Sequence, residues 1–390
     1  MKKIILFAVS FWLSFFVFYG LKMNGYAQEL EVSAPSAILV EAKTGKTVYE
    51  KKSDEIRSPA SITKVMTLLL AMEAIHEGKI TLQDRVVTSA YAKTMGGSQV
   101  FLEEGEIQTV DTLLKCIAVA SGNDASVALA EYIAGTEAEF VNRMNEKAKM
   151  LGMTNTHFVD CCGLSNSDEH YTTAKDVAIM SMELINKFPQ IFQYTTIWME
   201  DITHVTKDGE STFTLSSTNK LLKQYPYANG LKTGSTDKAK YCLSASAKKD
   251  QVQLIAVVMG APDHKVRFED CKKMLDYGFS KVHIYEDEKK EDFEAIEVKR
   301  GIEKEALVEY REKFVYLDME GNDLGQITKK EELPQWIEAP LKKGDKVGVV
   351  RYFLGEKEIG QIDIVVKQDL QEAGWMEYFK EGMGKWLLGT

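Results

Sequence analysis

The spacing of apolar positions changes several times along the chain, and each change predicts an element. Ala37-Ile-Leu-Val40 and Thr47-Val-Tyr49 flank a turn at Thr44-Gly45-Lys46, which predicts a hairpin. Ile62, Val65, Met66, Leu68, Leu69, Leu70, Met72 and Ile75 then surround a helix on nearly every side. That pattern predicts a buried central helix starting near Ser61 and running to about Ile75. Pro59 suits its start, because proline fixes φ and lacks an N–H that a first turn leaves unpaired. Helical spacing returns over residues 110–120, 125–134, 137–151 and 173–186, with Thr172 or Thr173 as cap for the last. A polar stretch near 205–220 precedes strand-like sequence. Residues 241–247, a turn at Lys248-Lys249-Asp250 and the apolar run 252–259 form an antiparallel run, with Lys232 and Thr233 at or beside its edge. A helix over 265–277 would cover one face, giving helices packed on an antiparallel sheet.

Composition shifts near Ile284. A charged connector, 286–292, leads to short alternating segments at 295–298, 307–310, 314–317, 347–352 and 359–366, the last two joined by a turn at Gly355. Residues 285–367 read as a small all-β domain with no chemical motif of its own. In the final segment, 368–390, Trp375, Met376, Phe379, Met383, Trp386 and Leu387 fall within an arc of about 120° on a helical wheel. Glu377, Glu381 and Lys385 lie opposite, and Glu372 would interrupt the stripe, so the helix begins after Ala373. Such a helix suits a bilayer interface and is too short to span one. Its slight negative charge leaves anchoring to apolar burial. Docking on its own protein or on a partner is the alternative.

At the other end, Lys2 and Lys3 precede an uncharged run over 4–21, and Gly25-Tyr26-Ala27 offers small residues at the positions a signal peptidase reads. Residues 1–27 read as an export signal cleaved before Gln28, with an uncleaved membrane anchor as the rival. Either places the bulk outside the cytoplasm. The formal net charge is −10, and removing the leader's three lysines takes it to −13. An acidic chain without a basic stripe excludes a nucleic-acid binder. Five cysteines are too few and too scattered for a disulfide framework, and a disulfide between Cys161 and Cys162 would be strained. Six histidines without ligand spacing and the lack of a Gly-rich phosphate loop indicate neither metal nor cofactor.

Candidate chemistry centres on Ser61 and Lys64. Three apart on one helix face, the amine can reach the hydroxyl. The electropositive helix start and burial both favour the neutral amine that a general base must be. The spacing alone is unselective, since Ser217/Lys220, Ser235/Lys238 and Ser246/Lys249 repeat it. Ser121-Gly122-Asn123 breaks two helices and puts two polar side chains at a helix start, where capping and catalysis are equally open. Thr94-Met-Gly-Gly-Ser-Gln99 is either a backbone excursion over a site or a plain connector.

Ser61-x-x-Lys64, Ser121-Gly-Asn123 and Lys232-Thr-Gly234 occur in an order found in penicillin-binding proteins and serine β-lactamases. With Gly97-Ser-Gln-Val-Phe-Leu102, Asn155-Thr-His-Phe158, Gly163-Leu164 and Thr218-Asn-Lys-Leu-Leu222, the sequence resembles the low-molecular-weight penicillin-binding proteins that are D-alanyl-D-alanine carboxypeptidases. The resemblance implies an α+β fold: a transpeptidase-like catalytic domain over 28–284, the small all-β domain and the anchoring helix. It implies a peptidoglycan stem peptide ending in D-Ala-D-Ala as substrate, β-lactams as covalent inhibitors, and the outer face of the cytoplasmic membrane as location. It implies Ser61 as nucleophile, Lys64 as base and Ser121 as proton relay. Asn123 would hold the substrate amide; Lys232 and Thr233, with Thr218 assisting, the terminal carboxylate; and Ser235 beside Gly234 an oxyanion-hole N–H. Lys232 would also depress the pKa of Lys64. Cys161-Cys162 departs from the family pattern before Gly163, and Ser235 stands where some members have histidine. A serine β-lactamase shares the three motifs but would need neither β-domain nor anchor, and no Glu-x-x-Leu-Asn deacylating sequence is present. A non-catalytic penicillin-binding sensor is the rival of another class.

Overall fold

The first hairpin forms where the alternation places it: strand β1 (Ser36–Glu41) pairs antiparallel with β2 (Thr47–Lys51). The structure, a computed structural model, describes residues 30–207, 209–287 and 293–388. The expected leader, 1–27, lies outside the described residues, as does most of the charged connector. After β2 the chain makes one 3-10 turn, Ala60–Thr63, and enters the central α-helix Lys64–His76. The helix therefore starts three residues later than its apolar pattern suggests. Ile62 N donates to Pro59 O at 3.1 Å, an i→i+3 bond, and Ala60 sits at φ +47°, outside the helical region. Apolar residues on all sides sink this helix into the core: Val65, Met66, Leu68 and Leu69 are buried. Each such side chain contributes about 1.5–3 kcal/mol.

Two short strands, β3 (Arg85–Val87) and β4 (Ile107–Thr109), pair with each other, and helices Val110–Ala118, Asn123–Ala134 and Glu137–Met150 follow. Helix Ala174–Lys187 is capped by Thr173, whose hydroxyl accepts from Asp176 N at 3.0 Å. The stretch read only as polar is in fact a hairpin, β5 (Met199–Thr206) with β6 (Gly209–Ser216). Its inward positions, Ile202, His204 and Leu215, alternate with exposed ones, most of them polar, and threonine-rich strands tolerate that water-facing side.

Strands β7 (Ala228–Thr236), β8 (Lys240–Lys249) and β9 (Val252–Ala261) complete a five-stranded antiparallel sheet of order β2-β1-β9-β8-β7. β7 is an edge, so Lys232 and Thr233 lie where the sequence placed them. Strand alternation sends Ile38, Val40, Ile255 and Val257 into the core around the central helix. Leu39 and Leu254 face the other way, against Gly278 of helix Val266–Lys281, where a Cβ would meet Leu254 Cδ1 at 2.6 Å. The sheet is thus covered on both faces.

A second apolar core, including Ile296, Val350, Tyr352, Ile362 and Ile364, belongs to the C-terminal β-domain. The strands Lys346–Leu354 and Lys357–Val366 form its main hairpin. Ile327–Glu332 and Trp336–Glu338 are strands that hydrophobicity did not reveal, because they are short or edge elements rich in charge. Strand His283–Glu286, at the expected boundary, pairs with Val315–Asp318. Helix Trp375–Leu388 ends the described chain, with Trp375 77% exposed and stacked 5.4 Å from Phe379. No helix among the described residues is long and apolar enough to cross a membrane.

Candidate active site

The 3-10 turn presents Ser61, and the first turn of the central helix presents Lys64. Lys64 Nζ donates to Ser61 Oγ at 3.0 Å, to Asn123 Oδ1 at 2.6 Å and to the Cys162 carbonyl at 2.7 Å. Burial lowers the pKa of Lys64, because a low-dielectric surrounding penalises the ammonium; Asp160 and Asp124 partly offset this. The side chain is fully buried and aimed at the serine. As the neutral amine it keeps two donors, for Asn123 and the Cys162 carbonyl, and turns its lone pair to accept from Ser61 Oγ–H, which is the arrangement a base needs.

Asn123 opens the helix Asn123–Ala134, and its Nδ2 donates to Gly96 O at 2.6 Å. That bond brings the Gly96-Gly97 loop over the lysine. A Cβ at Gly97 would lie 2.9 Å from Asn123 Nδ2, so the loop is an excursion onto the site and no side chain fits there. The buried Asp124 carboxylate fixes the same loop by accepting from Val100 N and Leu102 N, both at 3.1 Å. Ser121 sits at φ +63° with its hydroxyl buried and without a hydrogen-bond partner among the described residues.

β7 closes the other wall. Gly234 presses on the serine turn: a Cβ there would lie 2.8 Å from Pro59 O and 3.1 Å from Ser61 N. Thr233 Oγ1 donates to Thr218 Oγ1 at 2.7 Å, and the buried Lys232 donates to Thr233 O at 3.1 Å. Ser235, the next residue along the edge, is exposed. Burial pushes the Lys232 ammonium well below the ordinary lysine range, and repulsion from Lys64 and Arg267 adds to it. Burial is the largest cause for both amines, and the repulsion between them, which is mutual, adds to it.

Three contributors were not legible in the sequence. The Cys162 carbonyl is a backbone group with no signature. Asp160 organises its loop by accepting from Cys162 N at 2.9 Å, Ser165 N at 2.7 Å and Gly163 N. Arg267 reaches from helix Val266–Lys281 to donate to Gly234 O at 3.1 Å. All five cysteines are free and buried, and no group of three or more potential metal ligands occurs among the described residues. A cavity of about 790 Å³ between β4 and β5 is lined by none of the residues predicted for the chemistry.

Comparison with known proteins gives a consistent set of relatives. A family model described as D-alanyl-D-alanine carboxypeptidase matches residues 23–263, and one described as penicillin-binding protein 5, C-terminal domain, matches 279–372. The D-alanyl-D-alanine carboxypeptidase DacF of Bacillus subtilis is 43% identical over 359 residues, covering 92% of this chain and 91% of the relative. DacA of Escherichia coli K12 is 32% identical over 373 residues, covering 92% and 89%. Among solved structures, penicillin-binding protein 5 from Haemophilus influenzae superposes with a TM-score of 0.73 at 29% identity, covering 88% of this chain and 98% of its own.

Proposed function

The chain belongs to the D-alanyl-D-alanine carboxypeptidase family, and on that premise we propose that Ser61 is the nucleophile by which it releases the terminal D-alanine from peptidoglycan stem peptides. The enzyme is a serine-type D-Ala-D-Ala carboxypeptidase of the penicillin-binding protein class. The observation that carries the residue assignment is the buried Lys64 amine 3.0 Å from Ser61 Oγ.

In this reading neutral Lys64 takes the proton as Ser61 Oγ adds to the carbonyl of the penultimate residue. The N–H groups of Ser61 and Ser235 receive the oxyanion, each worth about 3 kcal/mol in related sites. The C–N bond breaks, the proton passes through Ser121 to the leaving amine, and D-alanine departs. The Ser121 hydroxyl, buried and without a hydrogen-bond partner among the described residues, leaves a donor and an acceptor for such a relay. Asn123 holds the substrate amide once it shares its contact with Lys64. Lys232, Thr233 and Thr218 receive the terminal carboxylate, with Gly234 allowing the close approach of β7. Water, activated by Lys64 through Ser121, then hydrolyses the ester. A β-lactam would acylate Ser61 and leave slowly.

The proposed organisation is a leader over 1–27, a catalytic domain over 28–284, a β-domain over 285–367 and an anchoring helix over 368–390. The exposed Trp375, Met376 and Phe379 support attachment to the outer face of the cytoplasmic membrane. Family membership favours the carboxypeptidase over the β-lactamase and the sensor. Incubation with a D-Ala-D-Ala peptide should release D-alanine, and Ser61→Ala should abolish both that release and labelling by fluorescent penicillin. Labelling that survives in Ser61→Ala would move the nucleophile elsewhere.

A further inference from the structure

Outside the three motifs, one buried titratable group touches the serine turn directly. His170 Nε2 lies 2.8 Å from Thr63 Oγ1, and Thr63 sits between Ser61 and Lys64. The other ring nitrogen, Nδ1, accepts from Val159 N at 3.0 Å. A nitrogen that accepts from an N–H carries no proton, so the proton of the neutral ring is on Nε2 and is donated to Thr63. The ring is buried, and Phe158 packs against it edge-on at 5.9 Å.

These two bonds join two pieces of backbone that must keep register. One is the turn Ala60–Thr63. The other is the loop after Val159, whose Cys162 carbonyl takes one of the three hydrogen bonds of Lys64. We propose that His170 is a positioning residue for the acyl-transfer site: as a neutral imidazole it clamps the Cys162 loop onto the Ser61 turn and so holds Lys64 aimed at Ser61. The inference rests on the reading of Ser61 and Lys64 given above.

The charged groups facing the ring define what protonation would do. Asp160 Oδ2 is 4.0 Å from Nδ1, while His157 and Lys238 stand on the opposing side of the balance. Burial lowers the pKa of His170, so the ring is neutral at neutral pH. A second proton on Nδ1 would confront the Val159 N–H and turn the ring toward Asp160. That carboxylate already accepts from the amides of Cys162, Gly163 and Ser165, so the loop would shift with it. Protonation of His170 therefore disarms Lys64 from a distance.

The test uses the full-length protein, a fluorescent penicillin with the labelled residue mapped by mass spectrometry, and D-alanine release from a model peptide. His170→Leu removes both bonds and should slow acylation and kcat about 10- to 100-fold, as expected for a misplaced catalytic group. KM should stay within about threefold. His170→Asn keeps an acceptor for Val159 N and cannot be protonated, so it should recover part of the rate. Its acid limb should also flatten, from a log-rate slope approaching roughly two to roughly one, because only Lys64 then needs to lose a proton. Thr63→Val, which keeps the shape and loses the hydroxyl, should slow acylation, and Thr63→Ser should restore it. If His170→Leu does not fold, Thr63→Val decides: acylation at the wild-type rate overturns the inference. So does an acid limb in His170→Asn as steep as the wild type. A wild-type protein labelled elsewhere than Ser61 would overturn the reading of the site and this inference together; labelling on Ser61 with indifferent variants overturns the inference alone.

Discussion

Gly163 lies directly against the carbonyl of Ala60: a Cβ built on residue 163 would sit 1.8 Å from that oxygen. The contact presses the loop carrying the Cys162 carbonyl onto the turn carrying Ser61, and both partners depart from ordinary backbone. Gly163 has φ +78° and Ala60 φ +47°. Left-handed residues of this kind cluster where surrounding structure fixes a functional geometry.

Gly163→Ala should therefore destabilise by more than about 3 kcal/mol, combining a left-handed alanine with a clash against backbone that cannot swing away. Thermal unfolding followed by circular dichroism measures it, and penicillin labelling should fall with it. A melting temperature equal to the wild type would mean the two segments are not pressed together.

Lys64→Arg keeps a cation and cannot supply a base, so acylation should fall about 10²- to 10⁴-fold at every pH. In the wild type, burial lowers the pKa of Lys64, so the neutral base persists to a lower pH than a free lysine allows. Activity should rise with pH through that lowered value and be lost as pH falls through it. The linked stability has the same sign, since a depressed group favours folding above its unfolded pKa and less below. A pH profile that is flat across the acid and neutral range would contradict this.

Lys232→Gln should reduce kcat/KM for a peptide with a free carboxyl end about 30- to 1,000-fold, the cost of truncating one side of a buried charge pair. Discrimination against the amidated peptide should narrow in the same variant. Because burial and the repulsion from Lys64 lower the Lys232 pKa, KM should climb as pH rises through that value. Unchanged preference for the free carboxylate in Lys232→Gln would place its receptor elsewhere.

Ending the chain at residue 372 should leave D-alanine release from a soluble peptide unchanged and abolish co-sedimentation with phosphatidylcholine vesicles. Retention should depend little on salt or anionic lipid, because the exposed groups are Trp375, Met376, Tyr378 and Phe379 and not a basic face. If the shortened protein still pellets, the attachment lies at the other end of the chain.

The sequence by itself determined the elements whose side-chain period is long and uniform: the buried central helix, the β1–β2 hairpin, and the β7–β9 run with Lys232 on an edge. It also carried the Ser61–Lys64 pair, because residues three apart meet on one local turn whatever the rest of the chain does. The threonine-rich β5–β6 hairpin and the charged edge strand Ile327–Glu332 stayed hidden, since a strand with one wet face buries too little to leave a pattern. What only the tertiary structure decided is the company that Lys64 keeps. The Cys162 carbonyl, Asp160 and His170 arrive about 100 residues later. They act through backbone amides, carbonyls and a ring nitrogen, and nothing in residue type or spacing marks a carbonyl as the one that will face a buried amine.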